Sequence, residues 1–392
     1  MTYLCLLKRF KDMEYEVKSF KDLRREVIDR GLCGKCGGCY SFCSAEGLHA
    51  LEIEEDGVPR YSNEEKCLKC GICYLICPQI NVLNQDLKDS FGWKPPIGRY
   101  QRVLSARTKD SKVMEVCTDG GVVTSLLLYL LDHKLIEGAI VSKKKGPFAR
   151  EPTIAFTRDE IISAAGSQYS GSSHLEELGG KYSTYSPILP VAKSLEQKYL
   201  RNLAVVGTPC QINTIKKMQC LGILPAHLIE YTIGLFCIES FSFDDMARKW
   251  LEERLNIDFN DIKKLNIKDD LIVTFNNGKT IHIPLEEVDA VARPACLACM
   301  DFSNEYADIS VGGLGSVDGY TTTVIRTDKG VNLFKNVVQH EYIEEVEYRD
   351  ADVRKNEKTK MVAKIISFSR RKQLRAEKKL MELSGPDINT AR

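Results

Sequence analysis

Apolar residues along this chain recur at two spacings. VVTSLLLYLLDHK (122–134) is an apolar run of helical length that closes on charged residues, whereas VLSAR, IEGAIVS, LAVVG and LIEYTIGLF are short, β-branched runs of strand length. QINTIKKMQCL (211–221) and FDDMARKWLEERL (243–255) place apolar residues at helical spacing. Strands alternating with helices in this order predict an α/β sheet. LIVTFNNGKTIHIPL (271–285) reads as a hairpin turning at Asn277-Gly278. ADISVGG and YTTTVIRT flank a glycine-rich loop, and from residue 346 onward the chain reads as a charged helical tail. In that tail RKNEKTK and SRRKQLRAEKK are predominantly basic, which predicts a solvated helix before it predicts partner docking.

The first hundred residues follow a different pattern. SFKDLRREVIDR (19–30) predicts a short amphipathic helix leading into Cys33-x2-Cys36-x2-Cys39-x3-Cys43, and the same spacing returns as Cys67-x2-Cys70-x2-Cys73-x3-Cys77 with Pro78 behind it. This is an internal repeat, closed by a linker-like WKPPIGRY (93–100).

A chain of 392 residues exceeds what one core usually spans, and 43% hydrophobic residues make it globular. Lys+Arg 55 against Asp+Glu 54, a net charge of +1, gives no bulk electrostatic case for nucleic acid. The 15 cysteines cluster in short runs, which argues for metal ligation in a reducing compartment over disulfides. The N-terminus turns charged too soon for a signal peptide, and the longest apolar run, Val122 to Leu131, is too short to span a bilayer. The expectation is a soluble, cytoplasmic protein, with a place at the periphery of a membrane complex as the alternative.

In the C-x2-C-x2-C-x3-C spacing three thiolates wrap one iron-sulfur cube and the fourth reaches across to the other. The predicted sets are Cys33, Cys36, Cys39 and Cys77 for one [4Fe-4S] cluster, and Cys67, Cys70, Cys73 and Cys43 for its neighbour. Zinc also takes thiolates, but its knuckles use paired C-x-x-C units, not four cysteines in eleven residues. Ser44 stands where proline ordinarily follows the fourth cysteine, a change at the turn that leaves the ligand in place. Four more cysteines invite grouping. Cys210 and Cys237 each follow an apolar strand, at the edge where open α/β sheets assemble sites, and Cys296 and Cys299 form a C-x-x-C. Three readings stand for them: a further [4Fe-4S] cluster, a structural zinc, or small buried hydrophobes. Cys5, Cys117 and Cys220 are left over, Cys220 reading as a buried hydrophobe within a helix.

TDGGVVTSLL, GSQY, VGTPCQI, GLFC, ACLACMDF and GLGSVDGYTTTVIRT, in this order after a two-cluster ferredoxin pattern, resemble the β-subunit family of coenzyme F420-dependent hydrogenases and dehydrogenases over nearly the whole chain to about residue 345. The resemblance implies FAD and a third [4Fe-4S] cluster in the C-terminal domain, and favours iron-sulfur over zinc for Cys210, Cys237, Cys296 and Cys299. Gly120 and Gly121 before a helix would let a phosphate approach the backbone and the helix N-terminus, with Thr118 and Thr124 as hydroxyl donors. The resemblance also places Ser167, Gln168, Tyr169, Thr208, Gly315, Tyr320 and Thr321 near the FAD. No G-x-G-x-x-G fingerprint occurs in a strand-to-helix context.

The implied organisation is a mixed α/β (α+β) chain. Residues 1–98 form a dicluster ferredoxin-like domain, 99–345 a mixed α/β flavin- and [4Fe-4S]-binding domain, and 346–392 a charged helical tail. The implied activity is reversible hydride exchange between coenzyme F420 and FAD, with single electrons passed through the cubes. The cofactors carry this chemistry, so no catalytic side chain is assigned, and His133 and His174 read as structural. Lys143, Lys144, Lys145 and Arg150 are a basic run that could meet the anionic tail of F420, although a solvated loop is the plainer reading. The implied partner is a redox subunit of hydrogenase, formate dehydrogenase, heterodisulfide reductase or quinone/phenazine reductase type, or free ferredoxin. Competing expectations are a flavin reductase of this fold with another substrate, an electron relay without flavin, and a zinc-stabilised interaction protein.

Overall fold

The structure is a computed structural model that describes residues 17–384, apart from 55, 145–149, 167–200, 241–248, 251, 255 and 257. Ser19 and Asp22 form a capping box that starts helix α1 (Phe20–Leu23), which runs on as a π-helical turn, Arg24–Ile28, and buries Phe20, Leu23 and Val27. The first cysteine run leads into α2 (Gly38–Ala45). A two-stranded antiparallel ribbon follows, β1 (Leu51–Ile53) with β2 (Pro59–Tyr61), and the second run leads into α3 (Ile72–Leu75). The sequence repeat is also a backbone repeat. Lys35 and Lys69 both have φ 53°, and Gly37 and Gly71, which precede α2 and α3, have φ 78° and 77°. Each loop thus reverses twice through left-handed conformations, which glycine permits at its second site.

After α4 (Asn84–Phe91) the predicted linker is not a free tether: Ile97 is buried, and the Arg326 guanidinium donates to the carbonyls of Ile97 (2.8 Å) and Arg99 (3.1 Å). Next come β3 (Arg102–Thr108), α5 (Ser111–Val116), α6 (Val122–Asp132), β4 (Gly138–Lys144), β5 (Arg150–Ala155) and α7 (Arg158–Ser163). Beyond residue 200 lie β6 (Leu203–Gly207), α8 (Pro209–Leu221) and β7 (Ile229–Leu235). The expected helix at 243–255 falls mostly outside the described residues. The hairpin forms as read, and β8 (Ile262–Ile267), β9 (Leu271–Phe275) and β10 (Thr280–Ile283) make a three-stranded antiparallel sheet. Short α9 (Leu285–Val288) and α10 (Pro294–Leu297) lead to β11 (Ile309–Gly312), β12 (Thr321–Ile325), α11 (Asp328–Gln339), β13 (Ile343–Glu345) and the tail helix α12 (Ala351–Ser384).

The large sheet runs β13-β3-β12-β11-β7-β6-β4-β5. Its middle four strands, β11, β7, β6 and β4, are mutually parallel, and antiparallel strands finish both edges. α6, apolar on nearly every side, packs Leu126, Leu127, Leu128 and Leu130 into one buried cluster with Ile309, Phe334 and Val337. A second cluster joins Leu203, Val205, Ile212, Ile215 and Met218 to Phe42, Ile72, Ile76, Leu83 and Leu87. The cysteine-rich segment therefore packs through α8 onto the sheet, and the expected boundary near residue 98 is not a break in packing. The tail differs from the solvated helix that its charge predicts. Met361, Ile365, Ser369, Lys372 and Ala376 are buried. Among the described residues no helix is long and apolar enough to cross a membrane.

Candidate functional site

Four parallel strands end on one edge of the sheet, and beyond it lies a cavity of about 310 Å³. Its lining takes Ser142 from β4, Gly207 and Thr208 at the end of β6, Leu235 to Cys237 at the end of β7, and Gly312 and Gly313 at the end of β11. Thr118, Asp119 and Gly121 to Thr124 bring the start of α6 to the same cavity. Gly121 sits at φ 70° as the N-cap of α6, and no side chain caps the helix there, so its first turn presents backbone donors and the positive dipole end to the cavity. Gly120 is fixed behind it. Its N–H donates to Thr321 Oγ1 (2.8 Å), and its carbonyl accepts from Thr108 N (2.6 Å). A β-carbon at Gly120 would stand 2.6 Å from the Ala106 carbonyl oxygen, so only glycine fits between β3 and β12. An anion held by this helix start needs no charged side chain.

Cys237 lines the cavity and also belongs to a thiol cluster. Its N–H donates to the Phe302 carbonyl (2.9 Å), while Cys296 Sγ accepts from Ser240 N (3.4 Å) and Cys210 Sγ lies 3.3 Å from Thr208 Oγ1. Burial pushes the Cys237 thiol up to about 12; Lys372 opposes the shift, and Cys296 and Cys299 add to it. Burial likewise drives Cys210 well up, with Cys299, Cys36 and Cys237 contributing. The four cysteines grouped from distant sequence are therefore neighbours. Among the described residues no three Cys, His, Asp or Glu side chains form a site for a single metal ion.

The eight N-terminal cysteines fall into the two expected neighbourhoods. Cys77 is pushed up to about 12 by burial and then by Cys36 and Cys33, whereas Cys73 is raised by burial and then by Cys70, Cys67 and Cys43. Cys39 responds to Cys36 and Cys33 and also to Cys73, so the two groups adjoin there. The first group meets the C-terminal thiols: a β-carbon on Gly34 would lie 3.8 Å from Cys210 Cβ, and Cys36 Sγ is 3.5 Å from Thr214 Oγ1. In the second group Cys70 is exposed.

Of the other residues singled out, Thr118, Gly121, Thr124, Thr208 and Thr321 line the cavity. Gly120 acts by packing behind it. Gly315 and Tyr320 are not part of the lining: Gly315 abuts Met361 of the tail, and the Tyr320 ring carries the Arg107 guanidinium 4.9 Å from its centroid. Ser167, Gln168, Tyr169, His174 and Lys145 lie outside the described residues. His133 ends α6, stacked on Tyr129 at 4.1 Å. Cys220 packs against the α8 core but is only half-buried, less than read, and Cys117 lines the cavity with Sγ 2.9 Å from the Asp119 carbonyl oxygen.

Several cations were not foreseen. Lys372, on the tail helix, is 1% exposed, and its ammonium donates to the Cys237 carbonyl at 2.6 Å. Lys217 is fully buried, donates to the carbonyls of Cys77 (2.8 Å) and Ile80 (2.6 Å), and is pulled down to about 8 by burial. Arg293 donates to the Cys33 carbonyl at 3.2 Å. The helical spacing of Met361, Ile365, Phe368, Lys372 and Ala376 was a usable signal for the first of these.

Comparison with known proteins gives a consistent result. Residues 103–178 match the family model described as coenzyme F420 hydrogenase/dehydrogenase, beta subunit N-term, and residues 200–351 match the companion model for the C terminus of the same beta subunit. The chain is 32% identical over 248 residues to the coenzyme F420 hydrogenase subunit beta of Methanothermobacter thermautotrophicus, an alignment covering 62% of this chain and 83% of that one. It is 31% identical over 334 residues to the coenzyme F420-dependent sulfite reductase of Methanocaldococcus jannaschii, covering 80% of this chain and 47% of the relative. Among solved structures it resembles a chain of the F420-reducing [NiFe] hydrogenase complex from Methanosarcina barkeri. The TM-score is 0.62 at 26% identity, covering 74% of this chain and 94% of that one.

Proposed function

Since the chain belongs to the coenzyme F420 hydrogenase/dehydrogenase β-subunit family, we propose that it is an F420 oxidoreductase subunit. In this reading it exchanges hydride reversibly between coenzyme F420 and FAD, and passes single electrons through three [4Fe-4S] clusters to a redox partner subunit or to ferredoxin. The observation that carries the reading is the position of Cys237, which lines the cavity and at the same time sits with Cys210, Cys296 and Cys299. From there the thiols continue outward: Cys210 abuts Gly34 in the first cysteine run, Cys39 feels the charge of Cys73, and Cys70 is exposed.

The residues suit the groups assigned to them. Twelve cysteines in three neighbourhoods of four match one thiolate per iron of a cube. Crowded, buried thiols whose charged forms are disfavoured alone become ligands once a cation shares the site. Gly121 and the start of α6, with Thr118, Thr124 and Thr208, would hold a flavin phosphate. When bound, FAD accepts two electrons as hydride and releases them singly, which links F420 to one-electron cubes. The chain itself supplies position and fixed charge. Domains at 1–98, 99–345 and 346–392 belong to the same proposal, as a division of labour and not of packing.

Anaerobic purification with iron, sulfide and flavin quantified tests the composition: three cubes at four irons each require about twelve iron atoms with one FAD. Adding reduced F420 should then bleach the flavin and the cubes. In Cys296→Ser the iron should fall to about eight, with flavin still reduced and the N-terminal cubes no longer reduced. Flavin that reduced F420 leaves oxidised would give the site to another substrate, and a wild-type protein with about eight irons would return Cys296 and Cys299 to a structural role.

A further inference from the structure

Lys372 has a burial problem that the chain alone does not solve. Its side chain is 1% exposed, an ammonium has three donors, and the hydrogen bond that it makes goes to one neutral carbonyl, that of Cys237. Burying an ammonium is costly unless negative charge stands nearby. The ammonium stands among Cys237, Cys296, Cys299 and the Asp301 carboxyl. The position is enforced. Ser369 and Ala376, on neighbouring turns, are buried, and Arg375 donates to the Ile238 carbonyl at 3.0 Å while pairing with Glu239 and Asp289. The tail helix thus clamps residues 237 to 239 at two successive cations.

We propose that Lys372 is a positioning residue that fixes a positive charge beside Cys237, Cys296 and Cys299 and so raises the reduction potential of the group that these hold with Cys210. The proposal rests on the third-cluster reading above. A cube with four thiolates is anionic and gains one more negative charge on reduction, so a fixed cation in a low-dielectric setting favours the reduced form. The tail thereby becomes part of the electron path without touching the cavity's ligand. It also accounts for a basic helix that keeps one lysine inside while most of its other cations face solvent.

The test is an anaerobic redox titration of the whole protein, followed by electron paramagnetic resonance and visible absorption, with iron counted in each sample. In Lys372→Met one of three cluster midpoints should move to more negative potential while the other two stay in place; Lys372→Arg should remain near wild type. If Lys372→Met fails to retain its iron, Lys372→Gln is titrated in its place with the same expectation. Three unmoved midpoints with full iron would overturn the proposal, as would an equal shift in Lys372→Arg and Lys372→Met. Loss of four irons from the Met, Gln and Arg variants alike would also overturn it, since charge would not be what the position supplies. A wild-type protein showing only two cluster midpoints sinks the third-cluster reading instead, before the lysine is at issue.

Discussion

The N-terminal thiol groups and the C-terminal one are held by opposite means. Eight cysteines between residues 33 and 77 ride on two short loops and the helices of eight and four residues that follow them, beside strands of three. Cys210 and Cys237 instead follow adjacent parallel strands of an eight-stranded sheet, while Cys296 lies in α10, Cys299 just beyond it, and the tail helix packs over them. The buried cluster of the short loops is small, built from Phe20, Leu23, Val27, Leu51, Tyr74 and Ile80 with Cys43 and Cys73 inside it, so whatever the thiols bind should add much of this segment's stability. A site at the end of a sheet is imposed by the sheet.

Stripping iron with a chelator under anaerobic conditions should therefore have the largest effect and divide the molecule. Amides of β1, β2 and the two cysteine loops should lose most of their hydrogen-exchange protection, while β6, β7, β11 and β12 keep theirs. Equal loss in the sheet would break the contrast and make the whole fold metal-dependent.

The same contrast governs what could be read from the chain. Four cysteines in eleven residues, twice, are a local pattern, and the strand and helix runs around Val122–Asp132, Leu203–Gly207 and Ile229–Leu235 were visible as periodicity. Sheet order was not, because pairing of β12 between β3 and β11 depends on contacts far apart in sequence. Cys210 and Cys237 were legible only as strand ends; their grouping with Cys296 and Cys299 followed from that edge and from the family resemblance. Lys372, Lys217 and Arg293 were missed for one reason. A basic residue is read as solvated unless its helical phase is followed turn by turn, and Lys217 has to be traced to the carbonyls of Cys77 and Ile80, about 140 residues earlier.

A second prediction concerns the seam between the two regions. Trp93 donates through Nε1 to Glu305 Oε2, joining the segment after α4 to the loop before β11. Burial first, and then Asp301, push the Glu305 carboxyl up from 4.5 to about 8, against the pull of Trp93 and Arg326. A carboxyl whose folded value is raised contributes stability that is complete below its unfolded value and is lost as pH climbs through the folded one. Stability should thus fall between about pH 4.5 and about pH 8, by at most about 1.4 kcal/mol per pH unit from this group. Denaturation midpoints across that range should flatten in Glu305→Gln. In Trp93→Phe, which removes a hydrogen bond that favours the charged carboxylate, the fall should continue further above about pH 8. A wild-type profile no steeper than that of Glu305→Gln would show that the seam holds without this titration.

The smallest expected effect lies where the thiol groups meet. Thr214 donates its hydroxyl to the Cys210 carbonyl at 2.9 Å, and the same oxygen lies 3.5 Å from Cys36 Sγ. One hydroxyl therefore touches a cysteine from each kind of site. Apolar packing is the larger connection, since Phe42 and Ile76 share a buried cluster with Ile212 and Ile215 of α8. Thr214→Val keeps most of the side-chain volume and removes the hydroxyl, so it should cost about 1 kcal/mol in a denaturation experiment and leave the iron content unchanged. A much larger loss, or a protein short of iron, would mean that the hydroxyl, and not the apolar cluster, holds the cysteine loops to the sheet. The two modes of construction would then be coupled at a single atom, and iron removal should loosen α8 as well.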